Sequence, residues 1–314
     1  MTDPVDLTSW IGRSETATDI ATAAALNGLA ALLDHDAPPW PADEVVPLGH
    51  WLYFLPRARQ SLMDADGHPH RGGFLPPVPL PRRMWAGGRL TFERPIPIGA
   101  VLERRSTITD VTLKTGRSGP MVFVTVRHEI AFEGRCAVRE EQDIVYREMP
   151  IISATPATSA PQAETSRPAA DTSRSAAVTS RPPVSTGATE VHRPSQWTRE
   201  FVPDPVQLFR FSALTFNAHR IHYDRPYARE IEHYPGLVVQ GPFVATLLLD
   251  HFLRRMPGAR VASFAFRAQR PLYDTAPFSL CLHAQGTEAE LWTLDADRQV
   301  TMTASVHWRP ASAI

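Results

Sequence analysis

A chain of 314 residues, 43% of them hydrophobic, is long enough for two domains of ordinary size, each with its own core. Thirty-two basic residues against thirty-three acidic ones leave a formal charge of −1. No global basic field is available to hold a nucleic acid, and a small-molecule ligand is expected instead. Cys136 and Cys281 lie far apart, neither in a metal-type spacing, which suits a reducing compartment. The stretch MTDPVDLTSWIGRSE places carboxylates where a signal peptide needs positive charge. The most apolar run, around Leu237 to Leu253, is interrupted by Gln240, Pro242, Asp250 and His251 and is too short and too polar for a bilayer. A soluble, cytoplasmic protein with neither a nucleic-acid nor a membrane partner is the expectation.

In chain order, residues 15 to 34 are rich in Ala and Leu and free of proline, with Thr16 and Asp19 as a possible capping pair, and predict an amphipathic helix. The aromatic run Leu48 to Pro56 reads as a short strand or a helix start. From Asp64 to Gly88, proline and glycine are dense enough to predict a long loop, anchored by Phe74, Met84 and Trp85. A loop of this length in a compact domain is either a functional lid or an irregular cover over the core. The period then changes to two: Arg89 to Arg94, Val101 to Thr109, Val122 to Phe132 and Arg135 to Arg147 predict antiparallel strands. Residues 153 to about 190 are almost entirely Ser, Thr, Ala, Pro and Arg, with TSR recurring at 165, 172 and 179. Pro168, Pro182 and Pro183 exclude a helix and apolar heptad positions are missing, so a disordered linker is predicted.

Beyond Trp197, Gly241 to Arg255 has Pro242 in its first turn and apolar residues nearly all round, the pattern of a buried helix. Strands follow at Val261 to Arg267, Phe278 to His283, Glu288 to Asp295 and Gln299 to Trp308. Helix followed by antiparallel strands is an α+β pattern. The halves echo each other, with an Arg-Pro step after a strand at Arg94-Pro95 and again at Arg270-Pro271. Two copies of one helix-plus-sheet unit are therefore predicted, at 1–150 and 196–314, joined by a linker at 151–195 and paired as a pseudo-dimer within one chain. Association of two such chains as a homodimer is a further possibility.

Two stretches carry a resemblance: DGHPHRGGFLPPVPLPRRMWAGG in the first half, and FSALTFNAHRIHYDRPYA followed by YPGLVVQGP in the second. With them the chain resembles the MaoC-like double hotdog dehydratases and hydratases, and within that group the mesaconyl-CoA hydratases. The resemblance implies a double hotdog fold of two units, each with a central helix wrapped by an antiparallel β-sheet. It also implies an acyl thioester substrate, an acyl-CoA, with coenzyme A as part of the substrate and no separate cofactor. The wider group carries an Asp-x-Asn-Pro-x-His-x-Asp signature. Laid on this chain, it puts Asn217, His219, His222 and Asp224 on the Asp, Asn, His and final Asp, so Asn217 stands where the group has a catalytic carboxylate.

Hydration of an enoyl thioester needs a water deprotonated at the β-carbon, a proton for the α-carbon, and a donor to the thioester oxygen. His222 suits the proton work because an imidazole titrates near neutrality. Asn217 orients the water, and His219 stands beside His222 or opposite it according to local conformation. Gly241, at the start of the buried helix, offers its backbone N–H to the oxyanion. Gln240, Phe74, Met84 and Trp85 complete the expected substrate-binding set, with the N-terminal unit silent in catalysis and walling the acyl pocket. Duller roles stand beside these. Asp224 caps a following helix, His219 merely packs, and Gly241 only turns the chain. His-x-x-His as a metal site lacks a third ligand at a diagnostic spacing, so no metal is expected. A hotdog thioesterase, or a non-catalytic module that binds acyl thioesters, is the alternative function.

Overall fold

The computed structural model describes residues 6–116, 119–148 and 194–310, so the expected linker and its TSR repeats lie outside the described residues. Its frame is one antiparallel sheet of ten strands. The N-terminal half supplies β1 (Ser14–Ile20), β2 (Arg82–Phe92), β3 (Val101–Gly116), β4 (Gly119–Phe132) and β5 (Arg135–Arg147). The C-terminal half supplies β6 (Trp197–Phe201), β7 (Arg260–Ala268), β8 (Phe278–Gln285), β9 (Glu288–Leu294) and β10 (Val300–Arg309). The order β1-β3-β4-β5-β2-β7-β10-β9-β8-β6 gives each half the same internal sequence of neighbours, running outward from a shared seam. The echo between the halves is thus a repeat of topology.

At the seam β2 pairs antiparallel with β7, from Gly87 opposite Arg267 to Thr91 opposite Ser263. Gly87 and Gly88 permit that approach. A Cβ on Gly87 would stand 2.6 Å from the Phe266 carbonyl oxygen, and one on Gly88 would stand 2.9 Å from the Phe266 ring. Any side chain here would push the two half-sheets apart.

The described residues form three α-helices, α1 (Ala23–Leu32), α2 (Pro205–Thr215) and α3 (Gly241–Arg255), of which α3 lies against the sheet, on β2, β8, β9 and β10. Helix α3 spans the predicted residues and is buried from Phe243 to Leu253 without a break, because its sequence offers apolar groups on every side. Its one buried carboxylate, Asp250, is satisfied by His35 at 2.6 Å, Arg254 at 2.8 Å and Arg199 at 3.0 Å. Removing any one partner would leave a buried charge undercompensated. Helix α2 opens on a capping box, Asp204 with Gln207, and α1 packs against it. No helix among the described residues is long and apolar enough to cross a membrane.

Two local expectations are corrected. Residues 15 to 20 form β1, paired residue for residue with β3, and the helix begins only at Ala23. Thr16, Thr18 and Ile20 favour the extended ladder, and Asp19 accepts a hydrogen bond from the Phe54 N–H at 2.7 Å instead of capping a helix. The loop after Asp64 ends at Pro81, so Met84 and Trp85 belong to β2; the glycines read as loop signals are the residues that make the seam. The run at Leu48 to Pro56 contains a single 3-10 turn, Gly49–Leu52.

Candidate active site

Helix α2 ends with Phe216 in the left-handed conformation, φ 48°, which turns the chain sharply toward the centre of the molecule. Asn217 follows, and its Oδ1 accepts from the His219 N–H at 3.0 Å, an Asx turn that launches one 3-10 turn, Arg220–His222. The segment before α3 then lies alongside, with the Val238 N–H donating to the Ile221 carbonyl at 2.9 Å. The buried His222 ring places Nδ1 at 2.7 Å from the Val238 carbonyl oxygen. A carbonyl only accepts, so Nδ1 carries the proton and Nε2 keeps a lone pair. Burial drives the His222 pKa down to about 4, against the pull of that carbonyl, so the ring is a neutral base at physiological pH.

A second group of residues arrives from the other half of the chain. The loop Asp64 to His70 docks on the turn: the Arg220 N–H donates to the Asp66 carbonyl at 2.9 Å and the Arg220 guanidinium to the Ala65 carbonyl at 3.1 Å. Gly67, at φ +89°, sits so close that a Cβ would lie 1.8 Å from the Ala218 carbonyl oxygen. This places the His68 ring 4.0 Å from that of His219, whose ring in turn stands edge-on to His222 at 5.3 Å. Asp66 accepts twice from His68, from its N–H at 2.8 Å and from Nδ1 at 2.9 Å. Burial works against the Asp66 charge, but those bonds outweigh it and hold the carboxyl below its ordinary range. His68 and His219 are both pushed down by burial and by neighbouring positive charge, so both imidazoles are neutral. The result is a chain of groups, Asp66, His68, His219 and His222, that crosses between the two halves.

The three imidazoles open on a cleft of about 560 Å³ along the seam, walled by Met84, Trp85, Ile144, Val145, Leu272 and Met302 and carrying Arg83, Arg147, Arg267 and Arg270. Seven of the eight expected residues line it: Asn217, His219, His222, Gln240, Gly241, Met84 and Trp85. Phe74 does not. It packs on the cluster of Val78, Leu80 and Tyr146, because the prolines after it fold the loop back on the N-terminal sheet, and Leu75 reaches the cleft instead. Gln240 is fully buried, and its Nε2 is committed to the Leu208 carbonyl at 2.8 Å and Ser212 Oγ at 3.0 Å. It therefore ties α2 to the start of α3 and keeps only Oε1 without a partner. A Cβ on Gly241 would meet only the Trp85 carbonyl oxygen, at 3.8 Å, so packing does not demand glycine there. Asp224 accepts from the Tyr227 N–H at 3.1 Å at the head of the turn Tyr227–Ile231 and pairs with Arg220 at 2.7 Å, the capping role anticipated for it.

Asp66, His68 and Arg83 were not anticipated. Asp-Gly-His was visible as a motif, yet only the tertiary contact sets it beside His219, and the N-terminal half thus supplies polar groups as well as walls. Asp66, His68 and His219 bring ligand atoms within 4.8 Å of one another and could together hold a metal ion, with His222 outside that set. In the geometry described, the Asp66 carboxylate is spent on His68. On the far side of Trp85 and Asn217 a smaller cavity of about 290 Å³ surrounds Glu140, which is buried and bonded by His50 at 3.0 Å and Trp51 at 3.1 Å.

The family model for hydroxyacyl-thioester dehydratase type 2 matches residues 48–182 and 162–274. A mesaconyl-C(4)-CoA hydratase of Chloroflexus aurantiacus is 44% identical over 304 residues, covering 96% of this chain and 97% of that protein. A mitochondrial hydroxyacyl-thioester dehydratase type 2 of Schizosaccharomyces pombe is 26% identical over 77% of this chain and 78% of its own length. Among solved structures, a MaoC-like dehydratase from Phytophthora capsici superposes with a TM-score of 0.66 over 98% of this chain and all of its own, at 11% identity. The α+β frame is that of a double hotdog, and the chain belongs to the hydroxyacyl-thioester dehydratase type 2 family.

Proposed function

We propose that the protein is a hydro-lyase that reversibly adds water to the double bond of an α,β-unsaturated acyl-CoA, with a mesaconyl-CoA-like ester as the substrate. The carrying observation is His222: a buried, neutral imidazole whose Nδ1–H is pinned to the Val238 carbonyl, leaving Nε2 as a base in a cleft that begins at the first turn of α3. In this reading Nε2 takes a proton from water as the oxygen bonds to the β-carbon. The electron pair of the double bond moves toward the thioester oxygen, which the Gly241 N–H at the helix start meets. The imidazolium then returns the proton to the α-carbon. Positive ring and negative oxygen form together, so the step adds no net charge to the buried site at the transition state.

Asn217 has one oxygen lone pair engaged by the His219 N–H, so its amide group is the part free to donate to the water. The reaction is redox-neutral and calls for no separate cofactor. Both cysteines are free thiols, which suits the reducing cytoplasm.

The test is loss of the enoyl thioester's ultraviolet absorbance when enzyme is added to crotonyl-CoA or mesaconyl-CoA. His222→Ala should lower kcat/KM by about a thousandfold, within the usual range for a general base. A folded His222→Ala protein that hydrates at the native rate would sink the mechanism, and release of free thiol would point to a thioesterase instead.

A further inference from the structure

Four arginines line the cleft, Arg83, Arg147, Arg267 and Arg270, and two arginines near Arg83 outside that lining are held by other groups. Arg82, next to it in β2, is buried and spent: it pairs with Glu232 at 3.1 Å and lies over the Tyr234 ring. Arg71 donates to the Val78, Leu80 and Pro81 carbonyls at 2.5 to 2.7 Å. Arg83, on the opposite side of the strand from Arg82, has no carboxylate partner among the described residues. It lies in register with Tyr146 across the ladder, hydrogen-bonds to that side chain, and shares the cleft with His68, His219 and His222. Its charge bears on both His68 and His219, whereas that of Arg147 bears on Tyr234 and Tyr273. A guanidinium with no carboxylate partner, in the same cleft as a base that must add water, calls for an anion on the substrate.

The chemistry of short unsaturated diacids says where that anion must be. In any but-2-enedioic monothioester the two alkene carbons carry one acyl group each. The free carboxylate therefore sits on the β-carbon, the same carbon that water attacks. Its counter-ion has to stand beside the catalytic base, not at the mouth of the cleft. An uncompensated carboxylate at that carbon would also repel the incoming hydroxide-like oxygen. Arg104, half-buried near the site, is unsuited: it faces the smaller cavity, among Glu15, Asp19 and Glu140.

We propose that Arg83 binds the free carboxylate of a short unsaturated dicarboxylic monothioester, and that this pairing selects such substrates over monocarboxylic enoyl esters. The proposal rests on the acyl-thioester reading above and names the substrate class within it. A guanidinium meets a carboxylate through two parallel N–H···O bonds, which a lysine reproduces only as a point charge.

Saturated ligands test this apart from turnover. Calorimetric titration of the wild-type protein with succinyl-CoA and butyryl-CoA should show a preference of about thirtyfold or more for the diacid ester, as expected for a charge-assisted pair. Arg83→Leu should abolish that preference by weakening succinyl-CoA alone, and Arg83→Lys should keep part of it, with thermal melting used to show that both variants fold. Equal affinity of the wild type for the two esters would overturn the proposal, as would equal weakening of both by Arg83→Leu. Selective binding of succinyl-CoA by a protein that hydrates no enoyl ester would instead overturn the hydratase reading and leave the carboxylate site standing.

Discussion

Gly67 is the point where the two halves touch most closely at the site, and its replacement by alanine is the sharpest perturbation available. The new Cβ would lie 1.8 Å from the Ala218 carbonyl oxygen and 2.6 Å from its carbon, both backbone atoms that cannot swing aside. The loop must therefore retreat by more than an ångström. That retreat breaks the bonds from Arg220 to the Asp66 and Ala65 carbonyls, each about 1 kcal/mol. It also draws His68 away from His219. A displacement of this size in a positioned group costs about a hundredfold in rate. Gly72→Ala is the matched control. It lies in the same loop at φ +85°, so it bears the same kind of dihedral strain, roughly 1 to 3 kcal/mol, but its Cβ would meet only Pro77 at 3.5 Å. The assay is kcat/KM for enoyl-CoA hydration alongside thermal melting of both variants. Gly67→Ala should lose about a hundredfold in rate while Gly72→Ala stays within a few fold. Equal rates for the two variants would refute the idea that docking of this loop organises the site.

Two further outcomes follow from the buried imidazoles and the Asx turn. His222 is neutral in the folded chain down to about pH 4, whereas in the unfolded chain it titrates at 6.5. Its contribution to stability is therefore fully present above pH 6.5 and is lost as pH falls toward 4, because the unfolded chain takes up a proton that the native ring refuses. The slope is about 1.4 kcal/mol per pH unit for each such ring, readable by urea unfolding between pH 7 and pH 5. His222→Gln should lower the total slope by that one ring's share, and an unchanged slope in that variant would show that the ring is not held neutral. Asn217→Asp keeps the Oδ1 acceptor for the His219 N–H, while Asn217→Ala loses it. The aspartate variant should melt within a degree or two of wild type and the alanine variant several degrees lower, with hydration reduced in both because each lacks the amide donor.

Much of the frame was legible locally. Helix α3 announces itself through apolar residues on every face and Pro242 in its first turn, and most strands through their period of two. The Phe211 to Gly241 stretch carries the motif of the resembled family in front of a recognisable buried helix, so Asn217, His219, His222 and Gly241 could be grouped from that resemblance and the helix start. Local pattern failed where a strand lacked apolar alternation. Ser14–Ile20 is an edge strand exposed along much of its length, and its ladder partner β3 lies in a distant part of the chain. It failed again at Gly87 and Gly88, where glycine serves close approach of two strands and not a turn.

The sequence by itself determined which imidazole and which amide stand before the buried helix, because those groups are set by hydrogen bonds between near neighbours. Only the tertiary structure decided that Asp66 and His68 join them and that Arg83 faces the same cleft. Those contacts depend on β2 meeting β7 and on a glycine lying against the Ala218 carbonyl, pairings between halves of the chain that no local period encodes.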